Sequence, residues 1–421
     1  MTIEVELNWF VGLDWASEKH QVSILDCTGK VEGERSFAHS GEGLGELCAW
    51  LLALTGSTPE AMAIAIEVPH GPVVEALLER GFQVFAINPK QLDRFRDRFS
   101  LAGAKDDRRD ALVLGDSLRT DRHCFRRLSV ADPVVIELRE WSRMVDELQQ
   151  ERTRLANRLR EQLWRYYPQA LELGGDLAGD WFLDLWALAP TPAKAKRLRQ
   201  TSVERFLKAH RIRRIDAPEV LRCLRQKPLQ LAPGTSEAAT AHIRTLLPRL
   251  KLLNKQIRQA NRKLDKLADS LDGSGQETSS GQQGEQRDVA ILRSLPGIGR
   301  INLATLLAEA PEPLRRRDYH ALRSLSGVAP VTKRSGKLRL VVRRQACNQR
   351  LRNALYHWAR VAVQKDPICR SRYAALRARG QSHGRALRTI GDRLLAVACA
   401  MLTSQSLYDP LRACRSQAEA A

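Results

Sequence analysis

Two apolar runs constrain this chain more than anything else in it, because each stops on a carboxylate. "WFVGLD" ends at Asp14 and "AMAIAIE" ends at Glu67. Their length and composition predict buried strands. A buried strand end is a costly place for a charge unless something there uses it. Around them, residues 8–120 alternate strand and helix. Trp9–Asp14 and Gln21–Asp26 read as strands joined by a tight polar turn, and Arg35–Ala38 as a third strand. Gly41–Leu54 has helical periodicity, Ala61–Glu67 is the fourth strand, and His70–Arg80 is helical. Phe82–Asn88 is a strand that Pro89 stops, and Pro89–Arg119 reads as largely helical. Three antiparallel strands followed by strands alternating with helices make a mixed α/β sheet. In such a sheet the first and fourth strands are neighbours, which sets Asp14 beside Glu67.

The stretch "AKDDRRDA" adds Asp106, Asp107 and Asp110. Asp107 and Asp110 are three apart and share one face of a helix. That helix follows the last strand and can carry both to the same point. Two unit charges about 4 Å apart cost roughly 4 kcal/mol at an effective dielectric of 20. Lys105, Arg108 and Arg109 lie nearby in sequence, but nothing local cancels the repulsion reliably. A pair of Mg²⁺ ions would, since hard divalent cations take oxygen ligands and two of them can clamp a phosphodiester. Asp14, Glu67, Asp107 and Asp110 are therefore the expected metal ligands, and Asp106 a solvated or capping residue. Taken singly, each is an ordinary strand end or helix cap. It is the order Asp, Glu, Asp-x-x-Asp on these elements that points to metal.

The formal net charge of +20 over 421 residues favours a polyanionic partner, nucleic acid ahead of an anionic membrane surface. The eight cysteines form no close pair of metal-ligand spacing, which argues against a structural zinc site and against a disulfide framework. Cys48, Cys223 and Cys399 sit in apolar helical patterns and are expected in cores. With no apolar leader and no long uncharged run, the chain is expected to be intracellular and soluble, without a membrane partner.

Beyond residue 125 the pattern changes. Leu138, Trp141, Val145, Leu148, Leu155 and Leu159 follow a heptad seam, with Arg152 at the vacant position. Leu250, Leu253, Ile257, Ala260, Leu264 and Leu267 form a second seam. Two such helices around a helical insert read either as a coiled-coil arm or as ordinary bundle helices. "DGSGQETSSGQQGEQ" (272–286) has no apolar content and reads as a flexible linker. "ILRSLPGIGRINLATLLAE" then has the pattern of a helix-hairpin-helix. Gly297 and Gly299 would let backbone N–H groups approach a phosphate beside Arg300 at the second helix's N-terminus. The plainer reading is a glycine turn between packed helices.

In "TKRSGKLRLVVRR", Ser335-Gly336 is a turn candidate. Leu338, Leu340 and Val342 then alternate with Lys337, Arg339, Val341 and Arg343, giving a strand with one apolar and one mostly basic face. With Lys333 and Arg334 before it, Ser335 is well placed to meet a phosphate. A hydroxyl is a weak nucleophile until it is deprotonated or the phosphate is polarised. No histidine lies close in sequence; His320 and His357 are the candidates. From these residues alone Ser335 reads first as a turn serine.

The strand Asp, the strand Glu and the Asp-x-x-Asp resemble the N-terminal RuvC-like (RNase H fold) domain of the DEDD insertion-sequence transposases. "LRSLSGVAPVTKRSGKLRLVVRRQ" and the preceding hairpin resemble that family's C-terminal transposase domain. The resemblance covers about residues 9–120 and 287–400. It implies a Mg²⁺-dependent catalytic domain at 1–125, a helical spacer at 126–271, the linker at 272–286 and a mainly α-helical transposase domain with a short β hairpin at 287–421. It also implies that Ser335 is the nucleophile of a phosphoserine link to DNA. By the same resemblance the protein would cut and rejoin DNA as a homodimer to homotetramer, guided by an element-encoded bridge RNA, in the bacterial cytoplasm at the nucleoid. One departure is Gln345-Ala346-Cys347, where the family tends to have Lys-x-Gly. The competing readings are a RuvC-like endonuclease or junction resolvase using water, a non-catalytic nucleic-acid binder, and an actin-like sugar kinase. "GLDWASEKHQVSILDCTGK" resembles the first phosphate loop of those kinases, but the second Asp-Gly-rich loop they need is not found.

Overall fold

The computed structural model describes residues 6–99, 106–129, 132–271, 283–336 and 338–410, with the side chains of 283–287 excepted. The chain forms two compact units, Met1–Asp132 and Pro133–Ala421.

The first unit is a six-stranded mixed sheet in the order β3-β2-β1-β4-β5-β6. Its strands are β1 (Trp9–Asp14), β2 (Lys19–Asp26), β3 (Val31–Ala38), β4 (Met62–Ile66), β5 (Gln83–Ala86) and the two-residue edge strand β6 (Arg126–Arg127). β1 pairs antiparallel with β2 and parallel with β4, so the first and fourth strands are neighbours as the sequence predicts. β4 is buried at every residue because both faces are covered. On one side lie α1 (Gly41–Thr55) and α2 (Pro72–Glu79), with Leu47, Leu51, Val74 and Leu77 packed on Val11, Leu13, Ile64 and Ile66. On the other lie α3 (Pro89–Arg96) and α4 (Asp107–Thr120), with Leu92, Val113 and Leu114 packed on Phe10, Ala63 and Phe85.

The helix expected over Pro89–Arg119 is two helices. α3 ends at Arg96 and α4 starts anew at Asp107, capped by Asp106, whose side chain accepts from Arg108 N at 3.3 Å. A capping aspartate at a helix start satisfies an otherwise unpaired N–H, the role expected for Asp106. α4 comes unusually close to β1. A Cβ on Gly12 would stand 1.7 Å from the Ala111 carbonyl oxygen, and one on Gly115 would stand 3.0 Å from Gly12 N. Only two glycines facing each other allow that approach.

The second unit is almost wholly helical. α5 (Pro133–Tyr166) and α10 (Thr235–Leu271) run antiparallel, and between them come α6 (Asp180–Leu188), α7 (Pro192–Lys196), α8 (Gln200–Ala209) and α9 (Ala217–Leu224). The apolar seams of the two long helices are buried at Leu138, Val145, Leu155, Leu159, Leu250, Leu253, Ala260, Leu264 and Leu267. Arg152 fills its gap in the seam by bonding Asn254 Oδ1 at 2.7 Å. The insert caps one end of the pair around Tyr166, Tyr167, Phe182 and Trp186. The other end packs on α12 (Arg300–Glu309), where Leu138, Val145, Ala260 and Leu264 meet Ala304 and Ala308.

Most of the linker reading lies outside the described residues; α11 (Gln283–Arg293) already begins at Gln283. After α12 come α13 (Pro311–Arg315), α14 (Tyr319–Leu325), a two-stranded hairpin of β7 (Val331–Ser335) and β8 (Leu338–Val342), α15 (Gln349–Lys365), α16 (Pro367–Ala378) and α17 (His383–Ser404). Leu295, Leu306, Leu355, Trp358, Ile390 and Leu394 form their common core. Cys48, Cys223 and Cys399 are buried. Among the described residues no helix is long and apolar enough to cross a membrane.

Candidate functional site

The acidic residues of the first unit gather where β1, β4 and α4 meet. β1 ends on Asp14, and Glu67 follows the last residue of the parallel neighbour β4. The close approach of Gly12 and Gly115 brings the first turn of α4, with Asp107 and Asp110, over the same sheet end. The electrostatics register this convergence. Asp14 is pushed up to about 6, first by burial and then by the charges of Asp110, Asp107 and Glu67 in turn. The other three carboxylates expected to act with Asp14 are thus close enough to act on it.

Asp110 is buried, Asp14 and Glu67 are half-buried, and Asp107 is exposed. Among the described residues no three histidine, cysteine or acidic side chains form a ready metal cage. A cation that the sequence did not signal, Arg96, stands among these acids. From the end of α3 its Nε and Nη2 grip Asp110 at 2.6 and 2.8 Å, and its Nη1 reaches Asp93 at 2.5 Å. Its charge also opposes the upward push on Asp14. A bidentate guanidinium–carboxylate pair in a partly buried place is a strong, directional contact. The pair is fourteen residues apart and forms across the break between α3 and α4, so neither helix periodicity nor local spacing signals it.

Carboxylate oxygens brought toward one sheet end are chemically suited to a hard divalent cation. Arg96 is the cation that now answers part of that charge. Arg108, near in sequence, is committed elsewhere, to Glu34 on β3. His20, also unforeseen, is fully buried behind the turn after β1; its Nε2 lies 2.9 Å from His39 Nδ1, and burial, then His39, hold it below its ordinary value.

In the second unit Ser335 ends β7, at the tip of the hairpin and exposed. Gly336 turns the chain at φ +53°, a conformation glycine adopts freely. Lys337 lies outside the described residues. The ladder pairs Val331 with Val342, Lys333 with Leu340 and Ser335 with Leu338 on one face. It pairs Thr332 with Val341 and Arg334 with Arg339 on the other. The basic and apolar faces expected from the alternation are therefore present, with Lys333 on the apolar side. Among the described residues both faces stand open toward the tip, where Lys333, Arg334, Leu338, Arg339 and Leu340 are all exposed. Among the described residues Lys333, Arg334, Arg339 and Arg343 have no carboxylate partner within 4.0 Å. At the hairpin's root Arg343 and Arg385 crowd Arg388, which burial and then these charges hold below its ordinary value. His320 and His357 are exposed on α14 and α15, and among the described residues neither bonds Ser335.

The turn between α11 and α12 separates its two glycines. Gly297, at φ +75°, is pressed on α15, where a Cβ would stand 2.6 Å from Ala362 N. Trp358 of α15 fastens the turn by donating to Pro296 O at 3.0 Å. Gly299 is the open one, with nothing within 4 Å of a Cβ built there. Arg300 beside it pairs with Asp265 of α10 at 2.7 Å.

Comparison with known proteins adds an independent line. Residues 11–168 match a family profile described as "Transposase", and residues 289–374 match one described as "Transposase IS116/IS110/IS902 family". The chain is 60% identical over 214 residues to a putative transposase, y4uE, of Sinorhizobium fredii. That match takes in 51% of this chain and 60% of the relative's length. It is 32% identical over 418 residues to the mini-circle putative transposase for IS117 of Streptomyces coelicolor, with 97% of each chain covered. A 43.6 kDa protein of insertion element IS110, also of Streptomyces coelicolor, is 26% identical over 406 residues, 95% of each.

Proposed function

The chain belongs to the IS116/IS110/IS902 family of transposases, and on that premise we propose that it cuts and rejoins DNA through a phosphoserine link made by Ser335, with Asp14, Glu67, Asp107 and Asp110 as ligands of divalent metal. The observation that carries the reading is geometric: Asp14 and Glu67 stand at the ends of neighbouring parallel strands, and the close approach of Gly12 and Gly115 brings the first turn of α4, with Asp107 and Asp110, toward them. Carboxylates from two strand ends and a helix are held together against their own repulsion, and a site of that kind does its work with a cation in it.

A divalent metal, Mg²⁺ in our reading and two ions of it, would polarise the phosphodiester and stabilise the charge that gathers on its oxygens. Every other task falls to the chain. Asp14 and Glu67 supply oxygens from neighbouring strand ends, and Asp107 and Asp110 from one helix turn. Arg96 must release Asp110 for that carboxylate to serve as a ligand. Lys333, Arg334, Lys337, Arg339 and Arg343 hold the DNA backbone on the hairpin. The Ser335 oxygen attacks phosphorus, a P–O bond to serine forms, the P–O bond to the sugar breaks, and the serine proton ends on the departing sugar oxygen. A sugar hydroxyl of another strand reverses the step, so bond energy is conserved. The turn at Gly297 and Gly299, read as a helix-hairpin-helix with Arg300, adds a backbone contact through Gly299.

We assign residues 1–125 to the metal-dependent domain, 126–271 to a spacer that joins protomers as a coiled-coil arm, and 287–421 to the serine domain. The partners in this reading are element-end and target DNA, a bridge RNA encoded by the element, and further copies of the chain, up to four. The test is incubation of the full chain with Mg²⁺, RNA from the element's flank and duplex carrying the element's end, followed by a denaturing gel. A covalent protein–DNA adduct that Ser335→Ala abolishes is the expected result. Strand cutting by the unaltered chain with no adduct would assign the chemistry to water, and an adduct persisting in Ser335→Ala would remove the serine from the reaction.

A further inference from the structure

The hairpin carries a feature that neither charge nor the serine explains. Leu338 is 67% exposed, Leu340 51% and Val341 55%. A two-stranded hairpin without a covered face is marginal in water. Leu338 and Leu340 share one face and Val341 stands on the other, and two leucines left open side by side on so short a strand are a patch fit to be covered. The register says by what. Ser335 and Leu338 are directly paired, and Leu340, opposite Lys333, is the next residue along the same face. Paired residues in such a ladder have Cβ atoms about 5 Å apart. Whatever Ser335 touches, Leu338 touches too.

A second copy of this hairpin is a poor occupant. Stacking face on face would bring Lys333 against Lys333, with Arg334, Arg339, Arg343, Arg385 and Arg388 close behind and, among the described residues, no carboxylate paired with them. Like charges brought together in this way cost energy with nothing to offset it. A polyanion with apolar surface inside it fits both halves of the hairpin at once, and duplex DNA is such a polyanion. Its phosphates suit the cations, and its base faces suit the leucines once a step is opened.

We propose that the hairpin is a wedge: Leu338 and Leu340 enter the DNA beside the phosphate that Ser335 attacks and unstack the adjoining base step. The inference rests on the reading of Ser335 as the residue that meets the phosphate. Unstacking costs a few kcal/mol per step, least at pyrimidine–purine steps. It leaves the attacked phosphate in a flexed backbone, open to in-line approach, and readies the strand end for exchange.

The test uses the full chain carrying Ser335→Ala, so that no cutting intervenes. The probe is duplex DNA with 2-aminopurine at pyrimidine–purine steps, bound to saturation at low salt, where charge alone holds the protein on DNA. Binding raises the fluorescence as the base unstacks. Adding Leu338→Thr or Leu340→Thr, which keep strand propensity and remove exposed side chains the fold does not use, lowers that rise by about an order of magnitude at unchanged saturation. No rise with the parent chain, or an equal rise with the leucine variants, overturns the wedge. So does sedimentation in which the leucine variants lose a dimer that forms without DNA, which would give the face to a second copy. The adduct assay with Leu338→Thr and an intact Ser335 keeps the two readings apart. An adduct that fails only in Ser335→Ala, with the fluorescence unchanged by the leucine variants, removes the wedge and leaves the nucleophile standing.

Discussion

The acidic end of the sheet and the basic hairpin are opposite solutions to holding charge. At the sheet end, like charges are forced together by a scaffold covered on both sides, and one internal cation, Arg96, relieves part of the strain. In the hairpin, among the described residues, cations and leucines stand on two strands with both faces open toward the tip. The first arrangement is stable before any ligand arrives, because apolar burial behind it outweighs the repulsion. The second is completed only by what binds it. Buried charge reports what the fold must neutralise, and exposed mixed surface reports what the fold has left for a partner.

The contrast breaks most readily at Gly12. Gly12→Ala places a methyl group 1.7 Å from a backbone oxygen that cannot swing aside, so α4 must lift from β1. The expected cost is about 3 kcal/mol or more, read as a lower urea midpoint for the first unit, with the upward shift of Asp14 lost in whatever remains folded. Asp110→Asn comes next. It leaves Arg96 with Asp93 alone and should cost about 2 kcal/mol, read in the same titration. An unchanged midpoint would show that the Arg96 contact is not part of what holds α3 to α4.

A smaller effect, of opposite sign, belongs to Asp14. Its folded value is about 6 and its reference value 3.8, so the folded protein takes up a proton that the unfolded chain does not between those two pH values. Stability from this group is fully present below pH 3.8 and falls as pH rises through about 6. Asp14→Asn should therefore raise the melting temperature at neutral pH, and the gain should vanish in acid. Discounted for its exposure to solvent, the gain is about 1 kcal/mol. Mg²⁺ should raise the melting temperature of the unaltered chain more than that of Asp14→Asn. Equal responses would remove Asp14 from the ligand set. Ser335→Ala has the smallest effect on stability, within about 0.5 kcal/mol, because the side chain is exposed at the hairpin tip. A larger loss would mean that the hairpin tip is part of a core after all.

The apolar runs of β1, β2 and β4 were readable because alternation and carboxylate stops are local signals, and the neighbourhood of β1 and β4 followed from strand order. The seams of α5 and α10 were readable for the same reason, since helical period is written into one segment at a time. β6 was not, because two arginines carry no strand pattern and pair only because β5 offers them an edge. The break between α3 and α4 was not, although Asp106 stood where a cap belongs. Of the acidic residues, the placing of Asp14 and Glu67 at neighbouring strand ends was legible and the pairing of Asp110 with Arg96 was not.

What the sequence by itself determined is which residues carry charge, which carry grease, and in what order the chain meets them. That was enough for the mixed sheet and the helical second unit, and to single out four carboxylates and a serine among cations as candidates. Only the tertiary structure decided that Gly12 and Gly115 let a helix settle onto a strand, that Arg96 stands among the acids, and that the leucines beside Ser335 are left bare. The reason is one of range. Period and composition are properties of neighbours in the chain, whereas close approach, ion pairing and exposure depend on segments far apart in sequence being packed together.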